Sequence, residues 1–204
     1  MKMTRLFSRG ARLLVFVSSL LIGCTSSPAL AVKYEKIHET LHVKQHRAKM
    51  DAAAYIFRYY NRNLSEDKAK EYAKYVMEAA HRYSIEPSLI TAIIIKESTA
   101  KVNARSRYAV GLMQVYWQLH KKTIGAQFPH IRTEKILMEP RNNIMVGTWL
   151  FSQYMLSCKG DVTKALRRYL GSKATQYVAL VNKYRGHFSK RMNFNLQHAS
   201  KRSA

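Results

Sequence analysis

Cysteine and acidic residues are both scarce in this chain of 204 residues. The two cysteines are Cys24 and Cys158, and Cys24 ends a leader in which we expect it to be acylated or removed, so no intramolecular disulfide is available to the following domain. Cys158 lies in a helical pattern without an adjacent histidine, which favours a buried apolar residue over a catalytic thiol. Runs of alternating strands and internal repeats are also missing, and this excludes a sheet protein and a repeat array.

The N-terminus has the pattern of an export signal. Its positively charged segment contains Lys2, Arg5, Arg9 and Arg12. Residues 13–22 are apolar but too few to span a bilayer as an ordinary helix. They end at L-I-G-C, which resembles the lipobox of bacterial lipoproteins, in which the cysteine (Cys24) becomes the lipidated first residue. Thr25 resembles the residue that follows this cysteine in lipoproteins sent to the outer membrane. The alternative is cleavage by ordinary signal peptidase at the A-L-A of residues 29–31, and either alternative predicts export.

The charge is strongly one-sided, with 35 Lys and Arg against 12 Asp and Glu and a formal net charge of +23. For an exported protein this favours anionic partners, namely phospholipid headgroups, lipopolysaccharide or the carboxylates of peptidoglycan stems. Nucleic acid is not expected, because an exported chain seldom meets it. The alternative is a generally basic, soluble surface. We expect a monomer.

The domain organisation predicted from these patterns is a signal segment with lipobox over 1–24, a tether over 25–47, a helical domain over 48–186 and a basic tail over 187–204. Helical periodicity begins at about Met50, and Ser65 has the pattern of a helix cap. Further helices are predicted from Pro87, over residues 112–117, over Pro140–Ser157, over Val162–Leu170 and over residues 173–184. Residues 121–135 are predicted to be a polar loop, and the tail to be frayed.

A possible zinc motif occurs in the tether, where His38, Glu39 and His42 match H-E-x-x-H. A catalytic zinc needs a third protein ligand from elsewhere in the fold. His46 cannot provide it, because it lies about 12 Å from His38 along a helix axis. We therefore interpret the motif as chance or a solvated helix, and expect no metal.

Glu97 is the most informative residue of the sequence. In a helix from Pro87, the residues Ile90, Ile93 and Ile94 lie seven, four and three positions before it, which places its carboxyl on the packed face. Desolvation there raises the pKa of the carboxyl, as a general acid for glycosidic cleavage requires. The alternative is an ordinary glutamate at a helix end that only looks buried because the helix is short.

A series of motifs downstream strengthens the catalytic interpretation. They are, in order, Glu97-Ser98, Ser106, A-V-G-L-M-Q at 109–114, N-I-M-V-G-T-W-L at 143–150, A-L-R-R-Y at 165–169, Gly171 and Tyr177-Val178. Together they resemble the soluble-lytic-transglycosylase family, whose domain is similar to goose lysozyme, over about residues 85–190. The resemblance implies a mostly α fold of the α+β lysozyme-like class, with a cleft that binds peptidoglycan glycan strands.

The resemblance also implies roles for individual residues. Glu97 would be the sole catalytic acid and base. The substrate-binding residues would be Ser106, Met113, Gln114, Tyr116, Tyr169 and Tyr177. No cofactor or metal is implied.

Three departures from the family pattern affect how substrate would be positioned. Tyr108 precedes Ala109 where the family has a glycine, and the segment from Ser106 to Gly111 is one residue shorter. Leu170 replaces the asparagine of Y-N-x-G.

Most glycosidases use two carboxylates, yet Glu134, Glu139 and Asp161 are the only acids after Glu97, and none resembles a second catalytic acid. A substrate that provides its own nucleophile resolves this shortage. The acetamido oxygen of N-acetylmuramic acid would attack the anomeric carbon, and closure of a 1,6-anhydro ring would follow. The alternatives are a lysozyme-like hydrolase and an inactive lipoprotein that binds the wall as a scaffold.

Overall fold

The computed structural model describes residues 28–171 and 174–201, and the chain divides into two units, residues 1–38 and residues 39–204. The described part of the first unit, residues 28–38, is helical. Cys24 and the rest of the export signal lie outside the described residues. The helices are α1 Pro28–Tyr60, α2 Glu66–Tyr83, α3 Pro87–Ser98, α4 Trp117–Gln127, α5 Glu134–Met138, α6 Pro140–Ser157, α7 Val162–Leu170 and α8 Ala174–Lys201. The described residues form isolated bridges but no strand, which confirms the mostly α prediction.

The helix starts follow from local chemistry that the sequence displays. The Ser65 side chain accepts from the backbone N–H of Lys68 at the start of α2, and Asp161 accepts from that of Lys164 at the start of α7. Pro87 and Pro140 occupy first-turn positions, where the missing N–H has no cost. The predicted bounds of α6 and α7 are confirmed.

The centre of the core is α3, which is apolar on every side. Leu89, Ile90 and residues 92–95 are buried around its whole circumference, as expected for a helix with neighbours in all directions. It packs against α2 and α8, while α6 packs against α2, α5 and α7. Complete burial of an isoleucine side chain contributes about 1.5–3 kcal/mol. This central packing fixes the position of Glu97, close to the C-terminal end of α3.

The frayed tail predicted over residues 187–204 is wrong for the part of it that the structure describes. Helix α8 continues to Lys201, because Phe188 is buried and the Asn195 amide donates to the Ala48 carbonyl oxygen at 3.3 Å. Tyr184, Phe188 and Met192 follow each other at helical spacing, and this signal could have been read from the sequence. Likewise α1 begins at Pro28 and not near Met50.

The helix predicted over residues 112–117 is also wrong. Gly111 and Gln114 have φ angles of +80° and +48°, and this left-handed backbone cannot continue an α-helix. The chain forms a turn here, and α4 begins only at Trp117. The supposed polar loop over 121–135 contains the rest of α4 and the start of α5, whose cap is the side chain of Thr133.

Two further predictions concern single side chains. Cys158 is a buried free thiol, as the helical pattern indicated. His38, Glu39 and His42 are exposed on α1. Across residues 28–171 and 174–201, no group of three or more His, Cys, Asp or Glu side chains is placed to bind a metal ion. Over the same residues, no helix combines the length and apolar character needed to cross a membrane.

Candidate active site

Glu97 lies one residue before the end of α3, with its carboxyl half-buried. The hydroxyl of Tyr177, on α8, donates to Glu97 Oε1 at 2.6 Å. Burial raises the pKa of the Glu97 carboxyl, and the Tyr177 hydrogen bond and the charge of Lys96 only partly oppose this. The pKa of Glu97 is therefore shifted in the direction that a general acid requires.

Ser98 links the end of α3 to the segment of residues 104–116, which we call the site loop. Its hydroxyl, which is buried, contacts the carbonyl oxygens of Ile94 at 3.0 Å and Leu112 at 2.7 Å. The second contact crosses from the helix to the loop. It therefore holds the middle of the site loop beside the residue that follows Glu97.

Asn143 at the start of α6 supports the site loop from the opposite side. Its side chain is fully buried; Oδ1 accepts from the Met113 N–H at 2.8 Å, and Nδ2 donates to the Val110 carbonyl oxygen at 3.0 Å. A Cβ added to Gly111 would lie 2.3 Å from Asn143 Nδ2. Only glycine accommodates both this close approach and the positive φ at position 111. The loop backbone is thus held by a satisfied, buried amide.

Gln114 and Ser106 both make hydrogen bonds within the site loop. Gln114 Nε2 donates to the carbonyl oxygens of Ala104 and Gly111, both at 3.0 Å. Ser106 Oγ accepts from the N–H of Ala109 at 3.0 Å and is exposed. Both side chains therefore shape the loop.

Two tyrosines bring α7 and α8 to the carboxyl of Glu97. Tyr169 donates from Oη to the Met113 carbonyl oxygen at 2.8 Å. Burial raises its pKa well above the ordinary value, and the nearby negative charge of Glu97 raises it further. The pKa of Tyr177 is also raised, first by burial and then by Glu97. Both hydroxyls consequently stay protonated at any physiological pH and act as permanent donors.

Two of the six predicted substrate-binding residues lie elsewhere than expected. The side chain of Met113 is fully buried, packed so closely on Gly147 that a Cβ there would lie 2.6 Å from Met113 Cβ. It belongs to the core and is not available to a sugar; only its backbone takes part in the site. Tyr177 is 2% exposed and contacts Glu97 instead of an open cleft.

The interpretation of the sequence gave no role to the residues that support the site, namely Ser98 and Asn143. Both belong to the motifs of the family, but the motifs do not indicate that their side chains support the site loop. The available signal was a polar residue placed among apolar helical positions, since buried polar side chains need partners. Which partners they bind could not be derived from spacing.

Comparisons with known proteins identify the family of the chain. Residues 74–190 match the Transglycosylase SLT domain, and the chain belongs to that family. Two relatives, each named "Membrane-bound lytic murein transglycosylase C", come from Yersinia pestis (strain Pestoides F) and Yersinia pseudotuberculosis serotype O:1b (strain IP 31758). Each is 34% identical over 115 residues, which cover 52% of this chain and 31% of the relative. The chain therefore spans about a third of the length of these relatives. No solved structure matches the chain.

Proposed function

We propose that the protein is a peptidoglycan lytic transglycosylase. It cleaves the β-1,4 bond between N-acetylmuramic acid and N-acetylglucosamine without water and leaves a 1,6-anhydro end. The observation that carries the proposal is the state of the Glu97 carboxyl in a chain of the SLT family. Burial raises the pKa of this carboxyl, and the Tyr177 hydroxyl donates a hydrogen bond to one of its oxygens. The names of the relatives, murein transglycosylases, support the same substrate.

In the first step Glu97 acts as a general acid. Because Tyr177 donates to Oε1, the proton of the neutral carboxyl resides on Oε2 and passes from there to the glycosidic oxygen. The bond from C1 to that oxygen breaks as the acetamido oxygen of the same muramic acid bonds to C1. This substrate-assisted route accounts for a site with a single catalytic carboxylate.

In the second step the resulting carboxylate acts as a base. It takes the proton of the 6-hydroxyl, O6 bonds to C1, and the bond from the acetamido oxygen to C1 breaks. Glu97 is neutral again at the end of the cycle. The Tyr177 hydrogen bond favours the charged form that exists between the two steps, since this bond lowers the pKa of Glu97. Tyr177 is thus a positioning residue that acts through Glu97.

The remaining residues are proposed to hold the glycan. Tyr169, half-buried beside Glu97, orients the reacting sugar, while Ser106, Gln114 and Tyr116 contact sugar from the site loop. Their half-buried or exposed positions on this loop and on α7 support the assignment.

The protein is proposed to work in the periplasm, attached to the outer membrane through lipid on Cys24. The export pattern of the leader supports this, as does the word "membrane-bound" in the names of the relatives.

The test is digestion of purified peptidoglycan, with mass spectrometry of the released fragments. Muropeptides with 1,6-anhydro ends are expected, and about 10³-fold less of them from the Glu97→Gln variant. Reducing ends instead would identify a lysozyme-like hydrolase. Binding without any release from the unmodified protein would identify a wall-binding scaffold.

A further inference from the structure

The tip of the site loop is a tight turn with two exposed side chains at its centre. The Ser106 N–H donates to the Ala109 carbonyl oxygen at 2.9 Å, which closes the turn around Arg107 and Tyr108. Tyr108 is 54% exposed. Turn positions favour small polar residues, and an aromatic ring here gains nothing from the core. Tyr108 also stands where the family pattern has glycine, so a role for its side chain would be specific to this chain.

These two side chains lie together with Tyr116, and we call the three side chains the stack. The ring centroids of Tyr108 and Tyr116 are 5.4 Å apart with an angle of 37° between the planes. The Arg107 guanidinium carbon lies 5.1 Å from the centroid of Tyr108. A guanidinium above a ring keeps the N–H groups at its edge free to bind a carboxylate. The stack therefore offers an aromatic surface and a cation side by side.

The charge of Arg107 is not neutralised by its surroundings. Its neighbour Arg105 is paired with Glu134 at 2.5 Å. In the part of the chain that the structure describes, no carboxylate forms an ion pair with Arg107. Since the desolvation of an exposed guanidinium is small, an anionic ligand could pair with it at little cost.

The base of the same loop is anchored beside Glu97 through Ser98, Asn143 and Tyr169, as described above. The tip is joined to this base by short pairings, Val110 N–H to the Val115 carbonyl oxygen at 3.1 Å and the reverse at 3.0 Å. The stack therefore lies at the tip of the same loop whose base is held next to Glu97.

The geometry points to a binding site for a peptide-bearing sugar at the loop tip, in which Tyr108 and Tyr116 contact the apolar face of a pyranose ring and Arg107 binds a carboxylate of the peptide stem. This inference rests on the proposed function for the identity of the polymer. Beyond that function, the inferred site would make the protein prefer glycan strands that still carry their peptide stems. The contact is an addition to the catalytic site, so it should alter binding and KM more than kcat.

The test measures co-sedimentation of the full chain with purified peptidoglycan, in a Glu97→Gln background so that the polymer stays intact. Tyr108→Ala should weaken binding roughly 10-fold, and Arg107→Gln roughly 5-fold, as for the loss of one aromatic contact and one exposed ion pair. The matched controls are Tyr59→Ala and Arg62→Gln. This second pair, at the end of α1, has a Tyr59 ring that is 45% exposed and an Arg62 guanidinium 5.2 Å above it. Neither control should change binding.

Peptidoglycan whose stem carboxylates have been converted to amides separates the two contacts, whereas an amidase would leave a new lactyl carboxylate on each muramic acid. On this polymer Tyr108→Ala should still weaken binding, whereas Arg107→Gln should bind as tightly as the Glu97→Gln protein does. Equal loss for Arg107→Gln on both polymers would overturn the stem assignment. If both variants bind unmodified peptidoglycan as tightly as the Glu97→Gln protein does, the whole inference is overturned, even if the unmodified protein releases anhydro products. Conversely, if the variants bind more weakly but the unmodified protein releases no anhydro products, the binding site is supported and only the proposed function is refuted.

Discussion

The base and the tip of the site loop differ in almost every physical respect. At the base, Leu112 and Met113 are fully buried, and the backbone is held by Ser98, Asn143 and Tyr169. At the tip, Arg107 and Tyr108 are exposed, and they contact each other and Tyr116 but no buried side chain that the structure shows. The base lies in the packed interior, where small changes in volume are felt. The tip can change its side chains without disturbing the fold.

This difference separates two tasks within a dozen residues. The base holds the geometry around one carboxyl, and its residues match the family motif. The tip is where we propose that the polymer binds, and Tyr108 there departs from that motif. If the comparison is right, changes at the base should lower stability and kcat together, whereas changes at the tip should affect binding alone.

The largest effect should come from Glu97→Gln, which removes the acid that both regions serve. General acid–base catalysis contributes about 10²- to 10⁴-fold, so we expect a loss of about 10³-fold in release of muropeptides. Circular dichroism should show an unchanged fold. Activity within tenfold of the unmodified protein would place the chemistry on another residue.

Asn143→Ala tests the base most directly. The substitution leaves the Met113 N–H and the Val110 carbonyl oxygen without their buried partner, so we expect the free energy of unfolding to fall by about 3 kcal/mol. Denaturant titration would measure this. The control is Asn142→Ala, a half-buried neighbour that does not contact the site loop, for which we expect less than about 1 kcal/mol. Equal losses in the free energy of unfolding for the two variants would show that Asn143 supports the site loop no more than Asn142 does.

Gly147→Ala tests whether the base is packed to its limit. The new methyl would meet Met113 Cβ at 2.6 Å, and overpacking of this kind costs about 1–3 kcal/mol. Gly125→Ala in α4 is the matched control, because nothing lies within 4 Å of the added Cβ. It should stabilise the helix by up to about 1 kcal/mol. The two changes should therefore move the melting temperature in opposite directions.

Tyr177→Phe removes one hydroxyl and should lower kcat about tenfold, as expected for one lost hydrogen bond to a charged group. Its pH profile is the sharper measurement. The Tyr177 hydrogen bond lowers the pKa of Glu97, so its loss raises that pKa further. Because the acid must be protonated to react, the alkaline limb of kcat/KM should move to higher pH. If the alkaline limb of kcat/KM stays at the same pH in Tyr177→Phe, the Tyr177 hydroxyl does not act through Glu97.

The smallest effect concerns stability and again involves Glu97→Gln. Burial raises the pKa of the folded carboxyl above its ordinary value of 4.5, so the folded state binds this proton more tightly than the unfolded state. Stability is therefore lost as pH rises from 4.5 to the folded pKa. The variant has no such loss and should melt at a higher temperature than the unmodified protein at pH 7. The difference should vanish at pH 3, and a constant difference would refute the linkage.

Much of the fold could be derived from the sequence, because helix boundaries depend on near neighbours. Ser65, Asp161 and the prolines mark starts through bonds within one turn. The errors have physical causes too. Residues 112–117 have apolar helical periodicity, yet positive φ angles at Gly111 and Gln114 turn the chain. The tail over 187–201 is polar in composition, yet Phe188 anchors it to the core.

For the site, local spacing predicted a packed Glu97 carboxyl with a raised pKa, because the three isoleucines lie within two turns of it, but an ordinary glutamate at a helix end remained the alternative until the downstream motifs were considered. Its partners required the three-dimensional fold. Tyr177 is 80 residues away along the chain, and Asn143 lies 30 residues from Met113. Such contacts depend on how helices pack against each other, and no periodicity within one helix encodes the side chain that a distant helix will present.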